Sequence, residues 1–260
     1  MKVVCDLCDI PPISIPCSLT IGSLDGIHLG HQTLLKRLKE LSQGGTSVAL
    51  TFSNHPSEIL SPEKATCLLT TLEHRLLLLE KAGVDLVILL EFTKKLSNLP
   101  YDIFLKDIKN ALPFNSLVLG EGAAFGKEKK GNTDSLIQLG KEIAFHPEFI
   151  KKLYIGNQVV SSGRIRQHIM IGDLKNAALL LGRLFSIYSS FKENSRNRCH
   201  LFLQNQHLCL PPSGSYPILA RTLYEECEGS LTLDFSTETS QVHLASPLSS
   251  DSGMIEIIFK

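Results

Sequence analysis

Ile21-Gly22-Ser23-Leu24-Asp25-Gly26-Ile27-His28-Leu29-Gly30-His31 packs three glycines, one carboxylate and two histidines into eleven residues. The apolar run Cys17–Ile21 before it reads as a buried strand. Leu34, Leu35, Leu38 and Leu41 after it stand at helix-face spacing until Gly44-Gly45 stops the pattern. A strand, a glycine-rich turn and a helix N-terminus together make a phosphate-binding arrangement, because free backbone N–H groups and the positive end of the helix dipole face the anion. Histidines three apart at the helix entry can reach one ligand. As hydrogen-bond donors they can stabilise charge that develops during phosphoryl or nucleotidyl transfer. The same residues could be a βα turn with two incidental surface histidines. The strand before, the helix after and HxGH at the junction favour the functional reading.

The segments that follow repeat the pattern. Ser47–Phe52 reads as a buried parallel strand running into the turn Ser53-Asn54-His55-Pro56. Thr70-x-x-Glu73 is a capping box for a helix through Lys81, ended by Gly83, and Val84–Leu90 is another buried strand. Asn98 can cap a helix from about Pro100 to Ala111. Ser116–Leu119 is a strand that opens into the glycine-rich loop GEGAAFGKEKKGN, Thr133–Glu142 is a short helix, and Phe149–Ile155 reads as an edge strand. Strands alternating with helices predict an α/β fold with a parallel sheet covered on both faces. Ligands bind such sheets beyond the carboxyl ends of the strands, where the loops Gly22–His31, Ser53–Pro56 and Gly120–Gly131 are all expected to lie.

Ser161-Ser162-Gly163-Arg164-Ile165-Arg166 sits between Gln158-Val159-Val160 and the helical pattern Ile165–Ile169. Its hydroxyls are good caps, and its arginines are planar, permanent donors suited to phosphate oxygens. An ordinary N-cap with two solvated arginines is the alternative; coming after HxGH, the clamp is the favoured reading. A Gly172-Asp173 turn and a Leu174–Leu181 helix ended by Gly182 follow. Beyond about residue 188 the runs Cys199–Leu203, Tyr216–Ala220, Ser230–Phe235, Gln241–Leu244 and Ile255–Phe259 are short and β-like, which suggests a small barrel or sheet. The expected division is therefore residues 1–187 and 188–260.

The 260 residues are 43% hydrophobic and 20% charged, enough for a proper core. Lys+Arg and Asp+Glu both total 26, so no basic field suggests a nucleic-acid partner. Seven scattered cysteines look like reduced cytosolic thiols. Cys5-x-x-Cys8 has no second Cys or His pair at suitable spacing, so no metal site is expected. Asp6 and Asp9 break the N-terminal apolar run, unlike a secretory signal, and Arg75 and Glu80 close in Leu76–Leu79, too short to span a membrane. A cytoplasmic protein is expected; the residues leave its oligomeric state open.

Ile21–His31 resembles the GxFDGxHxGH signature of nucleotidylyltransferases, in the form carried by bacterial bifunctional riboflavin kinase/FAD synthetases. The likeness recurs at Leu50-Thr51-Phe52-x-x-His55-Pro56, at Thr70–Asp85 and at Gly120-Glu121…Phe125-Gly126-Lys127, which is similar to the family's flavin-pocket loop. SSGRIR resembles its SSTRIR, and Gly172-Asp173…Ala177-x-x-Leu180-Leu181-Gly182-Arg183 its GD…A..LLGR helix pair, so the likeness covers most of residues 15–187. It implies a Rossmann-like nucleotidylyltransferase domain in which FMN attacks the α-phosphorus of Mg·ATP, giving FAD and pyrophosphate without a protein nucleophile. Catalysis would be positioning and charge neutralisation. The resemblance implies that His28, His31 and Arg166 are catalytic. It likewise places ATP at Gly22, Ser23, Leu24, Asp25, Gly26, Gly30, Ser161, Ser162 and Arg164, and the flavin at Phe52, His55, Pro56, Gly120 and Phe125.

Departures accompany the likeness. Ser23-Leu24 replaces Asn-Phe, Gly163 the SSTR threonine, and Ser53 an aspartate. Gly122-Ala123-Ala124 lacks an acid, an aromatic and a polar residue of the flavin loop, which should weaken stacking. Leu210-Pro211-Pro212-x-Gly214-x-Tyr216, Gln241–Leu244 and Gly253–Phe259 resemble parts of the riboflavin kinase barrel. The family's GxPTxN loop is replaced by HLFLQNQH, and its catalytic glutamate by Gln241, an amide that cannot act as a general base. A shortened kinase-like domain without kinase activity is expected. Two alternatives stand beside FAD synthesis: nucleotidyl transfer to another phosphorylated acceptor, and a non-catalytic nucleotide- or flavin-binding paralogue.

Overall fold

The computed structural model describes the chain apart from residues 194–197, 202–206, 236–238 and 251. The chain divides into two compact units, Met1–Thr66 with Leu76–Leu153, and Cys67–Arg75 with Tyr154–Lys260.

The first unit carries β1 (Lys2–Val4), β2 (Cys17–Ile21), α1 (Leu29–Ser42), β3 (Thr46–Phe52) and α2 (Pro56–Leu60). The boundary between units falls inside α3 (Leu72–Lys81). Then come β4 (Leu86–Leu90), α4 (Lys94–Ser97), α5 (Tyr101–Ala111), β5 (Ser116–Gly120), α6 (Thr133–Glu142) and β6 (His146–Ile150). The six strands form one sheet in the order β1-β4-β3-β2-β5-β6, every neighbouring pair parallel. Nearly every residue of β2, β3, β4 and β5 is buried, as expected of strands covered on both faces. Cys17, Leu19, Val48, Leu50, Leu86, Ile88, Leu117 and Leu119 share one core with Phe104, Leu105 and Ile108 of α5 and Leu136 and Leu139 of α6. The alternate residues point to the opposite face, where the Ser18 hydroxyl donates to the Leu38 carbonyl of α1 at 2.6 Å. From β2 the chain steps to β3 and β4 on one side, then returns to place β5 and β6 on the other. The C-terminal ends of β2 and β5 thus flank the switch point of a Rossmann-like fold.

Several element ends differ in detail from the sequence reading. At the start of α3 the Thr71 hydroxyl accepts the His74 N–H at 3.2 Å. Asn98 closes the end of α4 through Nδ2 to the Lys94 carbonyl at 2.9 Å, while Pro100 precedes α5 without a side-chain cap. The edge strand is His146–Ile150, earlier than Phe149–Ile155; after Lys151-Lys152 the chain instead turns at Gly156 into a hairpin, β7 (Tyr154–Ile155) with β8 (Gln158–Val159). β1 escaped the sequence reading because three residues show no periodicity.

The second unit continues with α7 (Ser162–Met170), α8 (Leu174–Leu181) and six strands: β9 (Ser186–Glu193), β10 (Arg198–Leu201), β11 (Gly214–Arg221), β12 (Glu226–Asp234), β13 (Thr239–Leu244) and β14 (Ser252–Phe259). They close an antiparallel barrel in the order β10-β13-β12-β11-β14-β9. Residues two apart along the strands fill it: Ile187 with Ser189 and Phe191, Ile218 and Ala220, Leu231 and Leu233, Val242 and Leu244, and Ile255, Ile257 and Phe259 are all buried. β9 was not expected, because the buried Ser189 interrupts its apolar alternation. Phe202 and Leu203, the end of the expected Cys199–Leu203 run, lie outside the described residues.

Candidate active site

β2 ends at Ile21, and Gly22 N–H still bonds to the Leu50 carbonyl of β3 at 3.1 Å. The turn then enters the left-handed region at Leu24 (φ 50), Gly26 (φ 84) and Ile27 (φ 37). For Leu24 and the β-branched Ile27 this conformation costs about 1–3 kcal/mol each. Burial holds them there, at 3% and 2% exposure. The Thr51 hydroxyl donates to the Ser23 carbonyl at 3.1 Å and Gln32 Nε2 to the Ile27 carbonyl at 2.9 Å, fastening the turn from β3 and α1.

His28 is the N-cap of α1, its Nδ1 accepting the His31 backbone N–H at 3.3 Å. An Nδ1 that accepts a proton carries none, so the ring proton sits on Nε2. The two imidazoles stack with centroids 3.7 Å apart and planes 14° from parallel. Burial first, then the neighbouring His28, holds His31 well below the usual histidine range, so the ring is neutral at pH 7. Its Nδ1 is buried and has no hydrogen-bond partner among the described residues. Two stacked imidazoles at a helix N-terminus can offer N–H donors to an anion. Asp25 is buried in the turn, 1% exposed.

On the sheet face opposite α1, a cavity of about 530 Å³ opens beyond the strand ends. Ile21 ending β2 and Gly22 after it, Phe52 ending β3 and Pro56 after it, Phe92 and Leu96 after β4, Phe104 of α5 and Ala123–Gly126 after β5 line it. Phe52 meets Phe92 edge-to-face at 5.2 Å, and Phe104 meets Phe125 at 6.2 Å. Asn54 holds Phe92 in place, its amide pairing with the Phe92 N–H at 2.8 Å and carbonyl at 3.0 Å. The size suits a drug-sized ring system, and the wall is mostly apolar. Gly22 belongs both to this wall and to the HxGH turn.

Of the residues expected to meet a flavin, Phe52, Pro56 and Phe125 line the cavity. His55 and Gly120 are not in its wall: His55 caps α2, its Nδ1 accepting the Ser57 N–H at 3.2 Å and its own N–H reaching Glu58 at 2.8 Å. Gly120 ends β5, and its carbonyl accepts from Ala123. Phe92, Leu96 and Phe104 were missed: Phe104 shares its helix pattern with core Leu105 and Ile108, and nothing in that pattern separates a cavity wall from core.

Ser161, Ser162, Arg164 and Arg166 belong to the second unit. Ser161 caps α7, accepting the Arg164 N–H at 3.3 Å, and exposed Arg164 reaches Gln167 at 3.1 Å. Arg166 Nε donates to the Cys67 carbonyl at 2.6 Å. A Cβ at Gly163 would meet nothing within 4 Å. Asp173 caps α8 and binds His168 at 2.9 Å, and burial lowers Arg183 to about 10, opposed by Glu256. Asp85 ties β4 to β3 through the Ser47 N–H at 2.9 Å and hydroxyl at 2.6 Å. Asp173 and Asp85 thus brace a helix entry and a strand junction. Among the described residues no group of three or more His, Cys, Asp or Glu is gathered for a metal, and no helix is long and apolar enough to cross a membrane.

A parallel α/β sheet with a glycine-turn helix N-terminus beside an aromatic cavity places the chain in the Rossmann-like α/β class, whose ligands bind at the carboxyl ends of the strands. The profile described as FAD synthetase matches residues 10–164, and the chain belongs to that family. It is 31% identical over 190 residues to a bifunctional riboflavin kinase/FMN adenylyltransferase of Buchnera aphidicola, covering 72% of this chain and 61% of the relative. It is 33% identical over 175 residues to the one of Haemophilus influenzae, covering 66% of this chain and 57% of that protein. The chain thus spans about three fifths of the length of these curated relatives. A solved structure titled macrolide-efflux protein from Streptococcus pneumoniae superposes with a TM-score of 0.82 at 21% identity, covering 99% of this chain and 96% of that one; the likeness is one of fold.

Proposed function

We propose that this protein is an FMN adenylyltransferase, making FAD and pyrophosphate from Mg·ATP and FMN. The observation that carries the reading is the aromatic cavity meeting the HxGH turn at Gly22, a flat-ring site beside a phosphate-binding helix N-terminus. An FMN phosphate oxygen forms the new bond to the α-phosphorus of ATP, and the bond from that phosphorus to the β-phosphate oxygen breaks, releasing pyrophosphate. His28 and His31 donate to the phosphate oxygens as charge shifts toward the leaving group. The turn Gly22, Ser23, Leu24, Asp25 and Gly26, with Gly30, lets the backbone approach the nucleotide. Ser161, Ser162, Arg164 and Arg166 are assigned to the triphosphate tail, and Phe52, His55, Pro56, Gly120 and Phe125 to the flavin side. Magnesium arrives with ATP as part of the substrate, consistent with its preference for phosphate oxygens and water.

Residues 1–187 are proposed as the adenylyltransferase module and 188–260 as a shortened kinase-like module without riboflavin kinase activity. Gln241 on β13 supplies no general base. A cytoplasmic setting fits this chemistry. One feature favours an altered acceptor as second reading: Ala123 and Ala124 give the cavity a short wall where the family carries larger side chains. The test offers FMN, riboflavin and other phosphorylated acceptors separately with Mg·ATP. FAD from FMN alone supports the proposal; pyrophosphate release with another acceptor and none with FMN supports the second reading.

A further inference from the structure

Arg166 is held from behind by a closed ring of contacts. Its Nε donates to the Cys67 carbonyl at 2.6 Å, from a residue 99 positions earlier in the chain. The strip carrying Cys67 is fixed in turn by residues 207–209. Leu68 N–H donates to the His207 carbonyl at 2.8 Å, Cys209 N–H to the Leu68 carbonyl at 2.7 Å, and Leu68 and Leu208 form an isolated parallel bridge. The Cys209 thiol, 2% exposed, closes the ring by donating to the Arg166 carbonyl at 3.8 Å. His207 adopts φ 40, a left-handed conformation that a non-glycine residue holds only against a cost. Its carbonyl is the one that accepts Leu68.

We infer that His207–Cys209 is a positioning element for Arg166: it fixes the Cys67 strip, which commits Nε and so sets the plane of the guanidinium fork. A fork with one edge committed to a fixed carbonyl meets phosphate oxygens with less ordering to do, and arginine's value at such sites lies in that planar geometry. The inference rests on the reading of Arg166 as a phosphate-clamping residue. It gives His207, Leu208 and Cys209 a role in the adenylyltransferase that needs no kinase chemistry.

The test is a double-mutant cycle on the full chain, read as the affinity for Mg·ATP with the affinity for FMN measured beside it. Leu68→Pro removes one bridge donor, and Cys209→Ala removes the thiol while leaving the backbone intact. In the native background Leu68→Pro should weaken Mg·ATP binding about tenfold and Cys209→Ala about threefold, with FMN affinity unmoved. In the Arg166→Ala background neither should weaken it further. Equal losses in both backgrounds, or no loss in the native one, overturn the inference. If Leu68→Pro does not fold, Cys209→Ala decides alone. A native chain that binds Mg·ATP but forms no FAD defeats the proposed reaction while leaving the cycle decisive. A native chain that does not bind Mg·ATP defeats both.

Discussion

His31 combines a half-buried ring, a buried Nδ1 with no partner among the described residues, and a neutral state. A free histidine titrates near 6.5, and burial holds this one well below that value. Its contribution to stability is therefore complete above pH 6.5. As pH falls below that point the unfolded chain binds a proton the fold refuses, and stability is lost at about 1.4 kcal/mol per pH unit. His31→Gln should flatten the slope between pH 6.5 and 5.5 in denaturant unfolding; an unchanged slope would contradict the assignment. At Gly163 the empty space around a built Cβ makes a hydroxyl easy to restore. Gly163→Thr should lower KM for ATP several-fold and raise stability by about 0.3 kcal/mol through helix propensity. Steady-state kinetics and thermal unfolding check both halves.

At the scale of elements, the junction of α1 with β3 depends on Gly45, where a Cβ would lie 2.0 Å from the Pro16 carbonyl oxygen. Backbone cannot yield as a flexible side chain can. Gly45→Ala should cost about 3 kcal/mol, seen as a lower urea midpoint at unchanged slope. The flavin-side loop is tested by Phe125→Ala, which should raise the Kd for FMN about tenfold by fluorescence titration while leaving ATP affinity intact. The strands β2 to β5 were legible because burial on both faces makes their apolar runs continuous, and α1 because Leu34, Leu35 and Leu38 keep helical spacing into the core. The same rules failed at β1 and β9, one too short for a period and the other carrying a buried serine at an inward position. At the candidate site the turn and the helix entry it leads into were legible from glycines and histidines. The cavity wall was not, since Phe92 and Phe104 meet Phe52 and Phe125 only through the fold. The capping duty of His28 and His55 was hidden because histidine is a less common cap than serine or aspartate.

Across the whole molecule, an α/β unit and a barrel-bearing unit coexist in one chain, and the barrel is closed with a glutamine at position 241 on β13. Closure follows from alternation at inward positions, which is independent of any catalytic residue; a barrel can therefore persist for the sake of segments such as His207–Cys209. The account turns on adenylyl transfer to FMN at the HxGH turn. The most direct measurement is FAD formation by the native chain and by His31→Ala, with FMN or riboflavin as the flavin and Mg·ATP in excess. The account predicts FAD from FMN, no product from riboflavin, and a fall in kcat of about a hundredfold or more in His31→Ala with FMN affinity retained. FAD formation undiminished in His31→Ala, or no FAD from the folded native chain, would contradict it.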